Sequence, residues 1–114
     1  LIMTLIEKFN IHGMAHITGG GLTENIPRSI PEDLSVEILK DSWVMPEIFK
    51  WLKDTGDINE ADMFRIFNCG IGMVLIIDSE ISQEIQDKIT EEGYQSYVIG
   101  SVQKKNSDKL INFR

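Results

Sequence analysis

Three consecutive glycines, Gly19 to Gly21, lie between a short apolar segment and a predicted helix start. Because glycine has no Cβ atom, the run predicts a sharp turn that brings backbone N–H groups close to whatever lies beside it. Residues 14–17 predict a buried strand before the turn, and residues 22–30 predict a helical turn whose first amides are unpaired. The run therefore predicts a strand, turn and helix unit that can hold an anion.

Polar side chains flank the glycines. His16 precedes them, and Glu24, Asn25 and Arg28 follow within two helical turns. Arg28 is suited to bidentate donation to a phosphate, but it is equally suited to a surface ion pair. Glu24 and Asn25 are also common near helix starts for purely local reasons. A tight turn without a ligand therefore stays open as an alternative.

Two common nucleotide-binding motifs are excluded at the glycines of this chain. A Walker A loop ends in Gly-Lys-Ser or Gly-Lys-Thr, whereas Leu22 and Thr23 follow Gly21. A dinucleotide fingerprint leads from its glycines into a helix, whereas Gly70-Ile71-Gly72 leads into an apolar run typical of a strand. Asn68 and Gly70 fit either a simple helix-to-strand turn or a backbone that approaches a ligand.

The remaining sequence predicts an α+β fold with a layered mixed sheet flanked by helices. Apolar residues at helical spacing predict helices near 2–9, 46–55, 60–67 and 79–92. Alternating or continuous apolar runs predict strands at 14–17, 34–39, 73–77, 94–102 and 110–113. The run from Met73 to Ile77 is typical of a central strand, covered on both faces or on one face and by a partner.

Length and charge narrow the classes of function. A chain of 114 residues fits one domain, 1–114, with a real core. The net charge of -7, with scattered basic residues, argues against a nucleic-acid or anionic-membrane partner. No run is long enough for a membrane span, and the lone Cys69 fits a reducing cytoplasm. We expect no metal site, because no His and Cys cluster has zinc spacing.

Two motifs carry a resemblance to a known family. The run His-Ile-Thr-Gly-Gly-Gly-Leu-Thr-Glu-Asn-Ile-Pro-Arg at 16–28 and the run Phe-Asn-Cys-Gly-Ile-Gly-Met at 67–73 resemble the C-terminal domain of aminoimidazole ribonucleotide synthetase. That enzyme family is also called phosphoribosylformylglycinamidine cyclo-ligase. The tryptophan and proline segment at 43–52 is similar as well. The resemblance runs from about Phe9 to Ile77 and is weaker beyond.

The resemblance implies an activity. The family's enzymes use ATP and Mg²⁺ to convert formylglycinamidine ribonucleotide to aminoimidazole ribonucleotide in purine biosynthesis, releasing ADP and phosphate. ATP and Mg²⁺ are bound mainly by an N-terminal domain, of which this sequence shows nothing. We therefore expect a substrate-cleft domain of a longer, cytoplasmic, homodimeric enzyme, and no catalysis by residues 1–114 alone.

The resemblance also implies a set of site residues. His16 is expected to act at the reacting end of the substrate, and either the ribose phosphate of the substrate or the transferring phosphoryl group is expected at the glycine turn. The substrate-binding residues implied in this way are Thr18, Gly19, Gly20, Gly21, Glu24, Asn25, Arg28, Asn68 and Gly70.

Two alternatives remain at this point. One is a free-standing module that binds a phosphorylated metabolite without chemistry. The other is the equivalent domain of formylglycinamidine ribonucleotide synthetase, an ATP-binding enzyme of the same superfamily.

Overall fold

The fold is α+β, as the sequence predicts. A computed structural model describes residues 1–105 and 108–114. It contains five α-helices and five strands within these residues, and the strands form two separate sheets. The helices are α1 Ile2–Lys8, α2 Gly21–Asn25, α3 Glu47–Thr55, α4 Glu60–Ile66 and α5 Ser82–Glu91. The strands are β1 Ile11–His16, β2 Leu34–Ile38, β3 Met73–Ile77, β4 Gly100–Lys104 and β5 Ile111–Phe113.

The first sheet is the antiparallel pair β1 and β3. His16 lies opposite Met73, and Ala15 lies opposite Val74. Because side chains alternate across a strand, Ala15 and Val74 share one face of the pair, and Leu75 lies on the other face. The two faces contact different apolar clusters, so this pair is a layer between them.

The second sheet is mixed and has the order β4, β2, β5. The central strand β2 pairs antiparallel with β4 and parallel with β5. Val36 and Ile38 alternate on one face of β2 and are 4% and 1% exposed, which agrees with the alternation in the sequence. This face packs into the larger of the two clusters.

The main core is that larger cluster. Its buried members are Ala15, Ile17, Leu22, Ile26, Val36, Ile38, Trp43, Met63, Phe64, Cys69 and Ile71. Helices α2 and α4 contribute Leu22 and Met63, both fully buried. The side chain of Asn59 caps α4 by accepting a hydrogen bond from the Asp62 amide at 2.9 Å. The strand end of β1, the glycine run and α4 therefore meet around one core.

The second cluster lies on the opposite face of the first sheet. Leu5 of α1 packs there with Ile85 and Ile89 of α5, as the four-residue spacing of the isoleucines predicts. Leu75 and Ile77 of β3 pack against these three residues.

The structure corrects two expectations about single segments, and it also places two large apolar side chains of α3 outside the core. Of the expected strand 94–102, only residues 100–102 are strand, as the first part of β4. Among the described residues, the strand β3 pairs on one side only, with β1, so it is an edge of its sheet and not a centre. On α3, Ile48 and Trp51 are 57% and 59% exposed, so neither belongs to the core. Their helix packs through Phe49 instead, which contacts the main core.

No helix among the described residues is long and apolar enough to cross a membrane.

Candidate functional site

The glycine run forms a tight turn at the end of β1. The Gly21 amide donates to the Thr18 carbonyl oxygen at 3.0 Å, which closes a four-residue turn. Gly20, at the third position, has φ 99° and ψ -14°, values of a type II turn that favour glycine. Gly19 differs from its neighbours, because a Cβ atom placed on it would meet no atom within 4 Å. The outer side of the turn is therefore open at Gly19.

Gly21 has a packing role that the sequence does not reveal. Its φ is 59°, and a Cβ atom there would lie 2.5 Å from the Phe67 carbonyl oxygen and closer still to that of Phe64. The residue is buried. Gly21 thus lets α2 approach the last turn of α4, and no ligand is needed to explain it.

Asn25 supports the turn from inside. Its side chain is 7% exposed. The amide nitrogen donates to the carbonyl oxygens of Gly21 at 2.9 Å, Thr18 at 3.3 Å and Gly19 at 3.3 Å. The amide oxygen accepts from Arg28 Nη1 at 3.4 Å. The structure therefore gives Asn25 the role of holding the loop in shape.

A second turn lies beside the first. The Ile71 amide donates to the Asn68 carbonyl oxygen at 3.0 Å, and the Gly70 amide donates to Asn68 Oδ1 at 2.8 Å. Cys69 and Gly70, the two central residues, have φ values of 53° and 99°. Positive φ at both positions is the feature of a type I′ turn. A Cβ atom on Gly70 would lie 2.5 Å from the Cδ atom of Pro46, so this glycine also allows close packing.

Hydrogen bonds fix the second turn to its surroundings. The Ile17 amide donates to the Gly72 carbonyl oxygen at 3.0 Å, which joins the two turns through their flanking residues. The indole nitrogen of Trp43 donates to the Cys69 carbonyl oxygen at 3.0 Å in the core. No pattern in the sequence indicates this bond between Trp43 and the turn.

The exposed side chains around the glycine turn are polar. His16 is exposed on β1, because its neighbours Ala15 and Ile17 point into the core. Thr18 and Arg28 are exposed as well. Glu24 lies over Gly20, where a Cβ atom would meet the Glu24 Cβ atom at 2.8 Å. His16, Thr18, Glu24 and Arg28 are thus all exposed in the segment that carries the glycine turn, Gly19 is open, and Asn68 and Gly70 lie in the adjoining turn.

Neither an activated thiol nor a group of three metal-ligating side chains is found among the described residues. Burial raises the pKa of the Cys69 thiol from 9.0 to about 11, so the thiol is protonated at neutral pH. Within residues 1–105 and 108–114, no three His, Cys, Asp or Glu side chains are grouped so that they could hold a metal ion. What the site does offer is open backbone, a guanidinium, a carboxylate and an imidazole.

The sequence matches the family described as AIR synthase related protein, C-terminal domain, over residues 1–112. The chain belongs to this family. The resemblance carried by the two glycine motifs is therefore confirmed. Both turns lie within the residues that match the AIR synthase related C-terminal domain.

Several relatives of this AIR synthase related domain are named phosphoribosylformylglycinamidine cyclo-ligase. The protein from Neisseria meningitidis serogroup C, serotype 2a, is 44% identical over 108 residues, which are 95% of this chain and 31% of that protein. The protein from Citrifermentans bemidjiense is 48% identical over 108 residues, with the same coverage. The protein from Acetivibrio thermocellus is 46% identical over 101 residues, 89% of this chain and 30% of that protein. The chain thus spans about a third of the length of these relatives.

Proposed function

We propose that the full-length product of this gene is an ATP-dependent phosphoribosylformylglycinamidine cyclo-ligase of purine biosynthesis. It would close the imidazole ring of aminoimidazole ribonucleotide from formylglycinamidine ribonucleotide, with release of ADP and phosphate. The observation that carries the proposal is the 44–48% identity to relatives of that name over 95% of the chain. The open side of the glycine turn and the exposed polar side chains of the same segment support it, because a phosphorylated substrate needs such a surface.

In this proposal the described residues form one wall of the substrate cleft. Among them, no three His, Cys, Asp or Glu side chains are grouped so that they could hold a metal ion. ATP and Mg²⁺ would therefore be held by an N-terminal domain of the same protein, and residues 1–114 alone would turn over no substrate.

The phosphate of the substrate would lie at the Gly19 side of the turn. No described residue accepts a hydrogen bond from the amides of Gly19 or Gly20, and open backbone amides of this kind bind phosphate oxygens well. The Arg28 guanidinium is exposed and is joined to the loop through Asn25. Its planar fork would add two charge-assisted hydrogen bonds to the same phosphate.

The reacting end of the substrate would lie near Glu24 and His16. A carboxylate over Gly20 repels a phosphate at that point, but it accepts hydrogen bonds from an amidine group. Glu24 would therefore orient the amidine nitrogen, and His16 would hydrogen-bond the amide oxygen that ATP activates. Asn25, Gly21 and Gly70 would contribute by holding the two turns in shape, and Asn68 by fixing the second turn.

We also propose that the enzyme is a homodimer located in the cytoplasm. Light scattering of the full-length product would measure its oligomeric state. Cys69 is buried and forms no disulfide within the described residues, which fits a reducing compartment.

Incubation of the full-length product with ATP, Mg²⁺ and a purified substrate tests the function. We expect phosphate release and ring closure with formylglycinamidine ribonucleotide. Turnover of formylglycinamide ribonucleotide with glutamine instead would show the alternative synthetase. Tight binding of formylglycinamidine ribonucleotide by the full-length product, without any phosphate release, would show a binding module and contradict the proposed activity.

A further inference from the structure

One edge of β3 has no strand beside it among the described residues. The Ile17 amide donates to the carbonyl oxygen of Gly72, the residue opposite it, so Ile17 and Gly72 form a hydrogen-bonded pair of the antiparallel ladder. Hydrogen-bonded and non-bonded pairs alternate in an antiparallel ladder, so Val74 bonds to β1, whereas the amides of Met73 and Leu75 point away from it. These outward amides form a free edge that can pair with another strand.

A mostly apolar slot runs along that free edge. Its volume is about 680 Å³, and it lies between β3 on one side and residues 94–102 on the other. Val36 and Ile38 of the main core line it from one face of the sheet. Residues of the second cluster line it from the opposite face, namely Leu5, Ile85 and Ile89. The slot is thus apolar on both faces and has a strand edge along one wall.

The slot also explains two of the corrected expectations. The run from Met73 to Ile77 has the continuous apolar character of a central strand, yet β3 is an edge. Residues 94–99 have the composition of a strand, yet they form none, and Tyr94 and Val98 are each 57% exposed. Both segments border the same gap, so one missing neighbour accounts for both.

We propose that this slot holds a β-strand from a part of the same polypeptide that lies outside residues 1–114. The strand would pair with β3 on one side and with residues 94–102, including the outer edge of β4, on the other. It would join the two sheets into one. Because both faces of the slot are apolar, the strand should be a near-continuous apolar run.

The length of the relatives favours this occupant. The match covers 31% of the relatives from Neisseria meningitidis and Citrifermentans bemidjiense, so most of each relative is chain that this structure does not contain. A second copy would have to insert its own β3 while keeping that strand paired with β1, and residues 94–102 bound the slot on its far side. A small apolar ligand would fill the volume but leave the outward amides without acceptors.

Hydrogen exchange in the full-length product tests the proposal. We expect the amides of Met73 and Leu75 to exchange as slowly as the β1-bonded amide of Val74, independently of protein concentration. Exchange at the rate of an open edge would overturn the proposal. Protection that disappears on dilution would overturn it too, because it would show a second copy in the slot.

A pair of variants at one position adds a second readout. Leu75→Pro and Leu75→Ala both remove the side chain that packs on the second cluster, but only Leu75→Pro removes the outward amide. We expect the full-length Leu75→Pro variant to melt at least about 3 °C below Leu75→Ala, from one further lost hydrogen bond. Equal melting temperatures would contradict the proposal. If Leu75→Pro does not fold, the exchange of the unmodified protein still decides the question.

Discussion

Gly21 lies so close to Phe64 that no side chain fits between them: a Cβ atom on Gly21 would overlap the Phe64 carbonyl oxygen and lie 2.9 Å from the carbonyl carbon. Gly21→Ala should therefore destabilise the protein by at least about 2 kcal/mol, since strain at φ 59° adds to the steric overlap. Chemical denaturation measures the loss. Gly19→Ala is the matched control, because its Cβ atom would meet nothing within 4 Å. Equal stability of the two variants would show that α2 does not pack on α4 as described.

The two asparagines of the site respond differently to the same substitution. Asn25 donates through its amide nitrogen to three carbonyl oxygens, whereas Asn68 accepts through its amide oxygen from the Gly70 amide. Asn25→Asp should cost about 2 kcal/mol or more, because a carboxylate cannot donate and would face carbonyl oxygens. Asn68→Asp should cost less than about 0.5 kcal/mol, since a carboxylate still accepts. Urea denaturation of both variants checks the difference, and a reversed order would refute the two assignments.

The two tryptophans make a second matched pair. Trp43→Phe removes the indole donor to the Cys69 carbonyl oxygen and leaves that buried acceptor unpaired. The expected loss of stability is about 1–3 kcal/mol. Trp51→Phe, at a position 59% exposed, should change stability by less than about 0.5 kcal/mol. A Trp43→Phe variant as stable as Trp51→Phe would mean that the indole bond does not support the turn.

The Cys69 thiol should be chemically silent in the folded protein. Burial raises its pKa from 9.0 to about 11, so at pH 8 almost no thiolate is present and the sulfur is inaccessible. The stabilising effect of the protonated thiol is fully present below about pH 9, and it is lost as the pH rises towards about 11. Iodoacetamide at pH 8 should label the thiol only after denaturant is added. Labelling of the native protein at the rate of the unfolded one would contradict this burial.

Much of the fold follows from patterns that single segments carry. The isoleucines of α5 at every fourth position, the Asn59 cap and the alternation in β2 are local signals, and the structure confirms each. The pairing of strands does not follow from such local patterns, because the neighbours of a strand depend on parts of the chain far away in sequence. This is why residues 94–99 have the composition of a strand but form none in the described structure.

The candidate site, too, can be predicted only in part from the sequence. The sequence predicts that the glycines turn the chain and that polar side chains flank them; in the structure the chain turns at Gly20, and His16, Glu24 and Arg28 are exposed. It does not predict which glycine is open and which is packed, since only the approach of Phe64 distinguishes Gly21 from Gly19. The inward direction of the Asn25 amide is equally invisible in the sequence, because a polar residue beside a glycine turn can face either side.

The most direct test of the account is the rate of ring closure by the full-length Gly19→Val variant. Gly19 is the open glycine of the turn, so a valine there should block the substrate and not the fold. We expect kcat/KM for formylglycinamidine ribonucleotide to fall at least about 100-fold, which corresponds to about 2.7 kcal/mol, with the melting temperature unchanged within about 2 °C. An unchanged kcat/KM in a folded variant would show that the substrate does not bind at the glycine turn, and would contradict the central claim.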